Sequence, residues 1–380
     1  MHTSSQPTGA DTTAAATAPV ASHVREVIEQ AVRQGVPGMV AQTRDGHRTC
    51  WSTAGVADIQ TRRARVPQER FRIGSASKAF TAAVVLQLAA ERKLSLDDTV
   101  DDWLPGLLHG NGHDGSRITV RHLLRQTSGI FPYGMDQTML EHFYNPSFLT
   151  HRFDRMGPEQ LVKIAVSHPA QFQPGESWAY SNTNFILAGM IAEQADGRPF
   201  AEQLTERIVR PLRLTGTYMP GIETEIQGVH PRHYSKNTAD GSLTAPVHDV
   251  TEQNTGHDSH AWTAGGMVST SGDLDRFLTA LLCGELLPPE QQQEMFTTTE
   301  VPPQTWIDGT TYGTGIFSLK LPNDRTVWGI AGMIHGCYTF AMGDREGHRT
   351  VVTHMNGDWA PAHRPSGIHL MTDVVAAEFS

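Results

Sequence analysis

Only three cysteines, Cys50, Cys283 and Cys337, occur in the 380 residues. Their odd number and wide spacing exclude a disulfide scaffold and a paired-cysteine metal or redox motif. Positive charge is also scarce, since 30 Lys and Arg face 40 Asp and Glu for a formal net charge of -10. No basic footprint exists for nucleic acid, which is excluded as a partner. Long apolar runs are missing as well: the stretch from Ala79 to Ala90 is far shorter than a bilayer requires and contains Gln87, so no membrane span is expected. Residues 1–20 are rich in Ala, Thr and Ser, with no basic residue before Arg25 and no apolar signal core. They are expected to be a disordered tail, and the chain is expected to act in the cytoplasm. Histidine is the exception to this scarcity, with 19 copies. The closest pairs, His230 with His233 and His257 with His260, sit in loops without a third ligand at helical spacing, so neither a metal nor another cofactor is expected.

What is present begins with Ser75-Ala76-Ser77-Lys78. A serine and a lysine three apart at the mouth of a helix share one face, where an amine can deprotonate a hydroxyl. Roughly one such match is expected by chance in a chain of this length, so the neighbourhood decides. Phe71-Arg72-Ile73-Gly74 leads into the serine, and an unbroken apolar helix follows until Glu91-Arg92-Lys93. Free backbone donors and the positive dipole end at that helix start favour an oxyanion. Burial would lower the lysine pKa towards that of a working base. About a hundred residues on, Pro174-Gly175-Glu176-Ser177-Trp178-Ala179-Tyr180-Ser181-Asn182 displays a phenol and an amide two apart before the apolar helix Phe185 to Ala192. A phenol relays protons and an amide orients a lysine or a carbonyl.

With both motifs in order, the chain resembles the serine β-lactamase and D-alanyl-D-alanine carboxypeptidase superfamily, in its class C-like branch with a tyrosine-x-asparagine second motif. Further stretches follow in family order: Ile118 to Leu124 leading to Thr127-Ser128-Gly129, Pro211 to Thr217, Ala264 to Leu274, and Tyr312-Gly313-Thr314-Gly315. The resemblance implies a covalent acyl-Ser75 intermediate, with Lys78 and Tyr180 sharing acid and base work and Asn182 orienting. It also implies an oxyanion hole from the backbone N–H groups of Ser75 and Met333. The third motif departs from the hydrolases. Where they carry a cation and a hydroxyl before a glycine, this chain has Ile330-Ala331-Gly332. The backbone role needs neither side chain, but recognition of a substrate carboxylate does. Ile330, Ala331, Gly332 and Trp262 are therefore expected at an apolar substrate surface. Strand alternation would put His335 on the side of Met333, as a candidate substrate contact.

The function implied is a serine acyltransferase or esterase of the transacylase type. It would move an acyl group from an ester donor to a small-molecule amine or alcohol in natural-product biosynthesis, without ATP, and the capuramycin-type transacylases are the specific resemblance. Two readings stand beside it: a β-lactamase or carboxypeptidase-type hydrolase, and a non-catalytic penicillin-binding sensor module. Strand signals at both ends with helices between them predict an α/β plus all-α fold, in which an antiparallel sheet flanked by terminal helices carries an inserted helical lobe. Residues 21–95 and 265–380 are assigned to the sheet domain and 96–264 to the lobe.

Overall fold

The computed structural model describes residues 22–143, 147–236, 244–361 and 366–380, so the tail expected at 1–20 lies outside the described residues. In chain order the elements that frame the site are α1 (Ser22–Arg33), β1 (Gly38–Asp45), β2 (Arg48–Gly55), α2 (Ser77–Ala90), α3 (Asn182–Asp196), α4 (Trp262–Gly265) and α5 (Ser271–Leu282). They are followed by β3 (Thr299–Glu300), β4 (Thr310–Tyr312), β5 (Phe317–Lys320), β6 (Thr326–Ile334), β7 (Cys337–Gly343), β8 (Arg349–Met355) and α6 (Gly367–Phe379). The strands form one eight-stranded sheet in the order β2-β1-β8-β7-β6-β5-β4-β3. Every pairing in it is antiparallel. The first hairpin therefore docks on the last strand, with Met39 opposite Met355 and Asp45 opposite Arg349. This is the β-lactamase/transpeptidase-like fold that the sequence predicts.

Alternation along the strands shows why the sheet carries apolar residues on both faces. Met39 and Ala41 of β1, Tyr338, Phe340 and Met342 of β7, and Val351 of β8 pack on one face with Val24 and Ile28 of α1 and Leu370 and Val374 of α6. Val40, Ala341 and Val352, each one residue out of step, pack on the other face with α2 and α5. Helix α2 is buried nearly all round, from Ser77 to Leu86, so its N-terminus is pinned inside the molecule. Such burial removes a helix end from water and makes its orphan donors available only to what enters the cleft. The region between β2 and β3 also holds short helices such as Val120–Leu124, Gln137–Phe143 and Pro158–Val166. No helix among the described residues is long and apolar enough to cross a membrane.

Candidate active site

Ser75 lies in a single 3-10 turn, Gly74–Ala76, that runs directly into α2. Gly74 stands at φ +52°, a left-handed conformation that a side chain disfavours. A Cβ there would also meet the Met333 backbone, 2.8 Å from its nitrogen. From the opposite side, a Cβ on Gly332 would lie 2.8 Å from the nitrogens of both Ser75 and Ala76. The two glycines thus let β6 press its backbone onto the serine turn. This contact puts the Ser75 and Met333 main chains side by side, the arrangement an oxyanion hole requires.

Lys78, one turn on, is buried with its amine on three oxygens: Ser75 Oγ at 3.1 Å, Asn182 Oδ1 at 2.8 Å and the Ala264 carbonyl at 2.6 Å. Burial drives its pKa well below the ordinary lysine value. A neutral amine has two N–H donors and one lone pair. In the neutral form the Asn182 and Ala264 oxygens take its two protons, and the lone pair then faces the Ser75 hydroxyl. In that form Lys78 is placed to take the Ser75 proton. The Tyr180 ring lies 4.8 Å from the same nitrogen and stacks on Trp306, with centroids 5.7 Å apart and planes 17° from parallel.

A polar lattice fixes the loop that carries Tyr180 and Asn182. Gln126 Oε1 accepts from the Ser181 backbone at 3.0 Å and from Asn184 Nδ2 at 2.6 Å, while Ser128 Oγ donates to Asn184 Oδ1 at 2.6 Å. Thr81 Oγ1 donates to the Thr263 carbonyl and Thr263 Oγ1 to the Phe185 carbonyl, both at 2.8 Å, which locks α4 and its Ala264 carbonyl against α2 and α3. Gly189 of α3 permits that approach, because a Cβ there would lie 2.6 Å from Thr263 Cγ2.

The cleft in front of Ser75 has a volume of about 460 Å³ and is walled by Pro132, Met135, Leu140, Trp306, Ile307, Ala331, Phe340 and Ile368, with Tyr180, Asn182, Gly332 and Met333 at its floor. Two residues expected there are placed elsewhere. Trp262 is only 2% exposed and packs edge-on against Phe200 and His257. Ile330 is also 2% exposed, because alternation turns it to the α2 face of the sheet, opposite Ala331, where it joins the core. His335 adjoins the site by a different route from the one expected. Strand β6 ends at Ile334, so His335 and Gly336 form the two-residue turn to β7, and the alternation argument stops one residue short. Its ring stacks on Phe148 at 3.6 Å and Nε2–H donates to the Phe143 carbonyl.

Trp306, Ile307, Gln126 and His260 were not anticipated. Only Gln126, next to Thr127-Ser128-Gly129, carried a local signal. A buried trio, His233, Cys337 and His354, has its ligand-type atoms within 4.8 Å of one another. Arg65 donates to His354 Nδ1 at 3.1 Å, which occupies that lone pair and fixes the proton on Nε2. The Cys337 thiol donates to the Arg72 carbonyl at 3.3 Å and burial pushes its pKa up to about 12. In this protonation state the trio is a polar knot in the core, and we assign no metal to it.

A D-stereospecific amidohydrolase from Streptomyces sp. superposes on 95% of this chain and 99% of its own, with 42% identity and a TM-score of 0.86. EstCE1, described as a hydrolase with promiscuous acyltransferase activity, shares the fold over 95% of this chain and 98% of its own, at 22% identity and a TM-score of 0.71. Protein flp of Staphylococcus aureus strain N315 is 26% identical over 51% of this chain, a match that spans 37% of that protein's length. The chain therefore covers little more than a third of the curated relatives it matches. The beta-lactamase family model matches residues 24–376, which take in the sheet, both flanking helices and the Ser75 cleft, and the chain belongs to the beta-lactamase family.

Proposed function

We propose that the protein is a serine acyltransferase that works through an acyl-Ser75 ester. The observation that carries this reading is the buried Lys78 amine, its pKa lowered by burial, held on Ser75 Oγ by Asn182 and the Ala264 carbonyl. In the first half-reaction Ser75 gives its proton to Lys78 as Oγ attacks the donor carbonyl, and the oxyanion forms against the Ser75 and Met333 N–H groups. Collapse breaks the bond to the leaving alcohol or amine, which takes the proton from Lys78 by way of Tyr180. In the second half-reaction an amine or alcohol acceptor loses its proton to Lys78 and attacks the ester carbonyl, and Ser75 recovers a proton. No ATP enters, because the donor bond supplies the driving force. Such chemistry fits the assembly of amides or esters in natural-product biosynthesis.

The apolar cleft supports transfer over hydrolysis, since walls such as Trp306, Ile307, Phe340 and Ile368 bind an acceptor better than water. A second reading, D-stereospecific hydrolysis of an amide, is favoured by the name of the 42% identical Streptomyces protein. Product analysis separates them. With a methyl ester donor and a panel of amines, the amide product is expected to exceed the acid at millimolar amine, and acid dominating at every amine concentration would make the enzyme a hydrolase.

A further inference from the structure

The helix Gln137–Phe143 lends Leu140 to the cleft wall and its Phe143 carbonyl to His335, but its half-buried His142 serves neither contact. The His142 ring instead lies flat on His151, with centroids 3.8 Å apart and planes 4° from parallel. His151 closes the next short helix, Phe148–His151, and its Nδ1 stands 2.7 Å from Asp154 Oδ2. One ligand-type atom from each of His142, His151 and Asp154 therefore lies within 4.8 Å of the other two. Their spacing matches no short motif, so only the fold brings them together. Each arm is anchored by itself. Asp136 Oδ1 accepts from the Thr138 and Met139 N–H groups at 2.9 and 3.2 Å, where the first helix begins. On the other arm the Asp154 carbonyl accepts from Asn254 Nδ2 at 3.0 Å, and the Arg152 carbonyl from the Asn254 N–H at 2.8 Å.

We propose that His142, His151 and Asp154 bind one divalent first-row metal ion of the zinc type, which braces the helix carrying Leu140 against the turn that Asn254 holds. Two imidazoles and one carboxylate are the donors such an ion takes at bonds of about 2.0–2.2 Å, with water in the remaining positions. Bonds of that length set neighbouring ligand atoms roughly 3–3.5 Å apart. His151 and Asp154 already stand close to that range, and a rotation of the His142 side chain closes the set. The ion displaces the proton now shared by His151 Nδ1 and Asp154 Oδ2, which passes to solvent, and the carboxylate offsets one of its two charges. Access is open, since the His151 and Asp154 side chains are 27% and 46% exposed. The buried trio around His233 presents the opposite case, because there the Arg65 guanidinium already occupies a lone pair of His354. Here the histidine nitrogen faces a carboxylate, which favours a cation.

The test adds Zn²⁺ alone to the metal-stripped full chain and reads binding by titration calorimetry and stability by Tm. One ion per chain is expected, and saturating zinc should raise Tm because it binds the folded state. His142→Phe keeps the ring stack and Asp154→Asn keeps the side-chain shape, so both should fold. Each should weaken zinc by at least about tenfold, since even the loss of an outer-shell partner costs that much, and each should lose the gain in Tm. Cys283→Ser and His109→Ala remove an exposed thiol and a histidine that pairs with Asp101, and both should bind zinc as wild type does. No binding by wild type would overturn the site. So would an affinity unchanged in folded His142→Phe and Asp154→Asn, or a loss seen instead in Cys283→Ser or His109→Ala. Neither readout uses catalysis, so these outcomes are independent of the acyl-serine reading.

Discussion

Lys78→Met should lower kcat/KM for acylation by about 10⁴-fold, the scale on which a base that acts with its nucleophile contributes. Methionine fills the same apolar channel, so circular dichroism should show a folded protein. The amine's only charged-state penalty is burial, which holds it neutral well below the ordinary lysine range. The sign follows from the role. A base must be deprotonated, so wild-type kcat/KM should rise with pH through a pKa well below 10.5 and then level off. The variant's residual rate should lack that ionisation. A profile still climbing at the ordinary lysine pKa would show that the amine is charged at rest, and that Tyr180 is the group to examine.

Gly332→Val should abolish activity for a different reason. Its Cβ would be forced to within 2.8 Å of the Ser75 and Ala76 nitrogens, and the branched methyls have no room between β6 and the serine turn. Displacing an oxyanion donor costs about 10²–10³ in rate, and a 1 Å shift of the nucleophile about 10² more. The expected loss is therefore at least about 10³-fold, with a lowered Tm. Gly272→Ala is the matched control, because a Cβ there meets only Gln42 Oε1 at 3.8 Å. It should retain full activity, and a Gly332→Val enzyme equally active would refute the close contact.

How much of this was legible in the sequence depends on how local each signal is. Ser75 and Lys78 share a turn, and Tyr180 and Asn182 share a loop. Such patterns survive as short motifs, and the structure brings all four together although 104 positions separate Lys78 from Asn182. The sheet was legible for the same reason, since β1 with β2 and β6 with β7 are hairpins. Trp262 and Ile330 were misplaced because a motif fixes a position along the chain but not the face it turns to. Trp262 turns to Phe200, and Ile330 to the core under α2. The Ala264 carbonyl and Trp306 left no trace, because a backbone oxygen has no sequence signature and Trp306 reaches the cleft only through tertiary packing. The domain boundaries at 95 and 265 stay a proposal. The first falls just after α2, and the second falls inside α4, whose Ala264 carbonyl binds Lys78 of α2.

The most direct measurement is the mass of the protein after brief exposure to an activated phenyl ester. The account predicts one added acyl group, mapped by peptide analysis to Ser75, formed at a rate matching the first turnover and absent from Ser75→Ala. An unmodified protein that still turns the ester over, an adduct on another residue, or unchanged turnover by Ser75→Ala would contradict it.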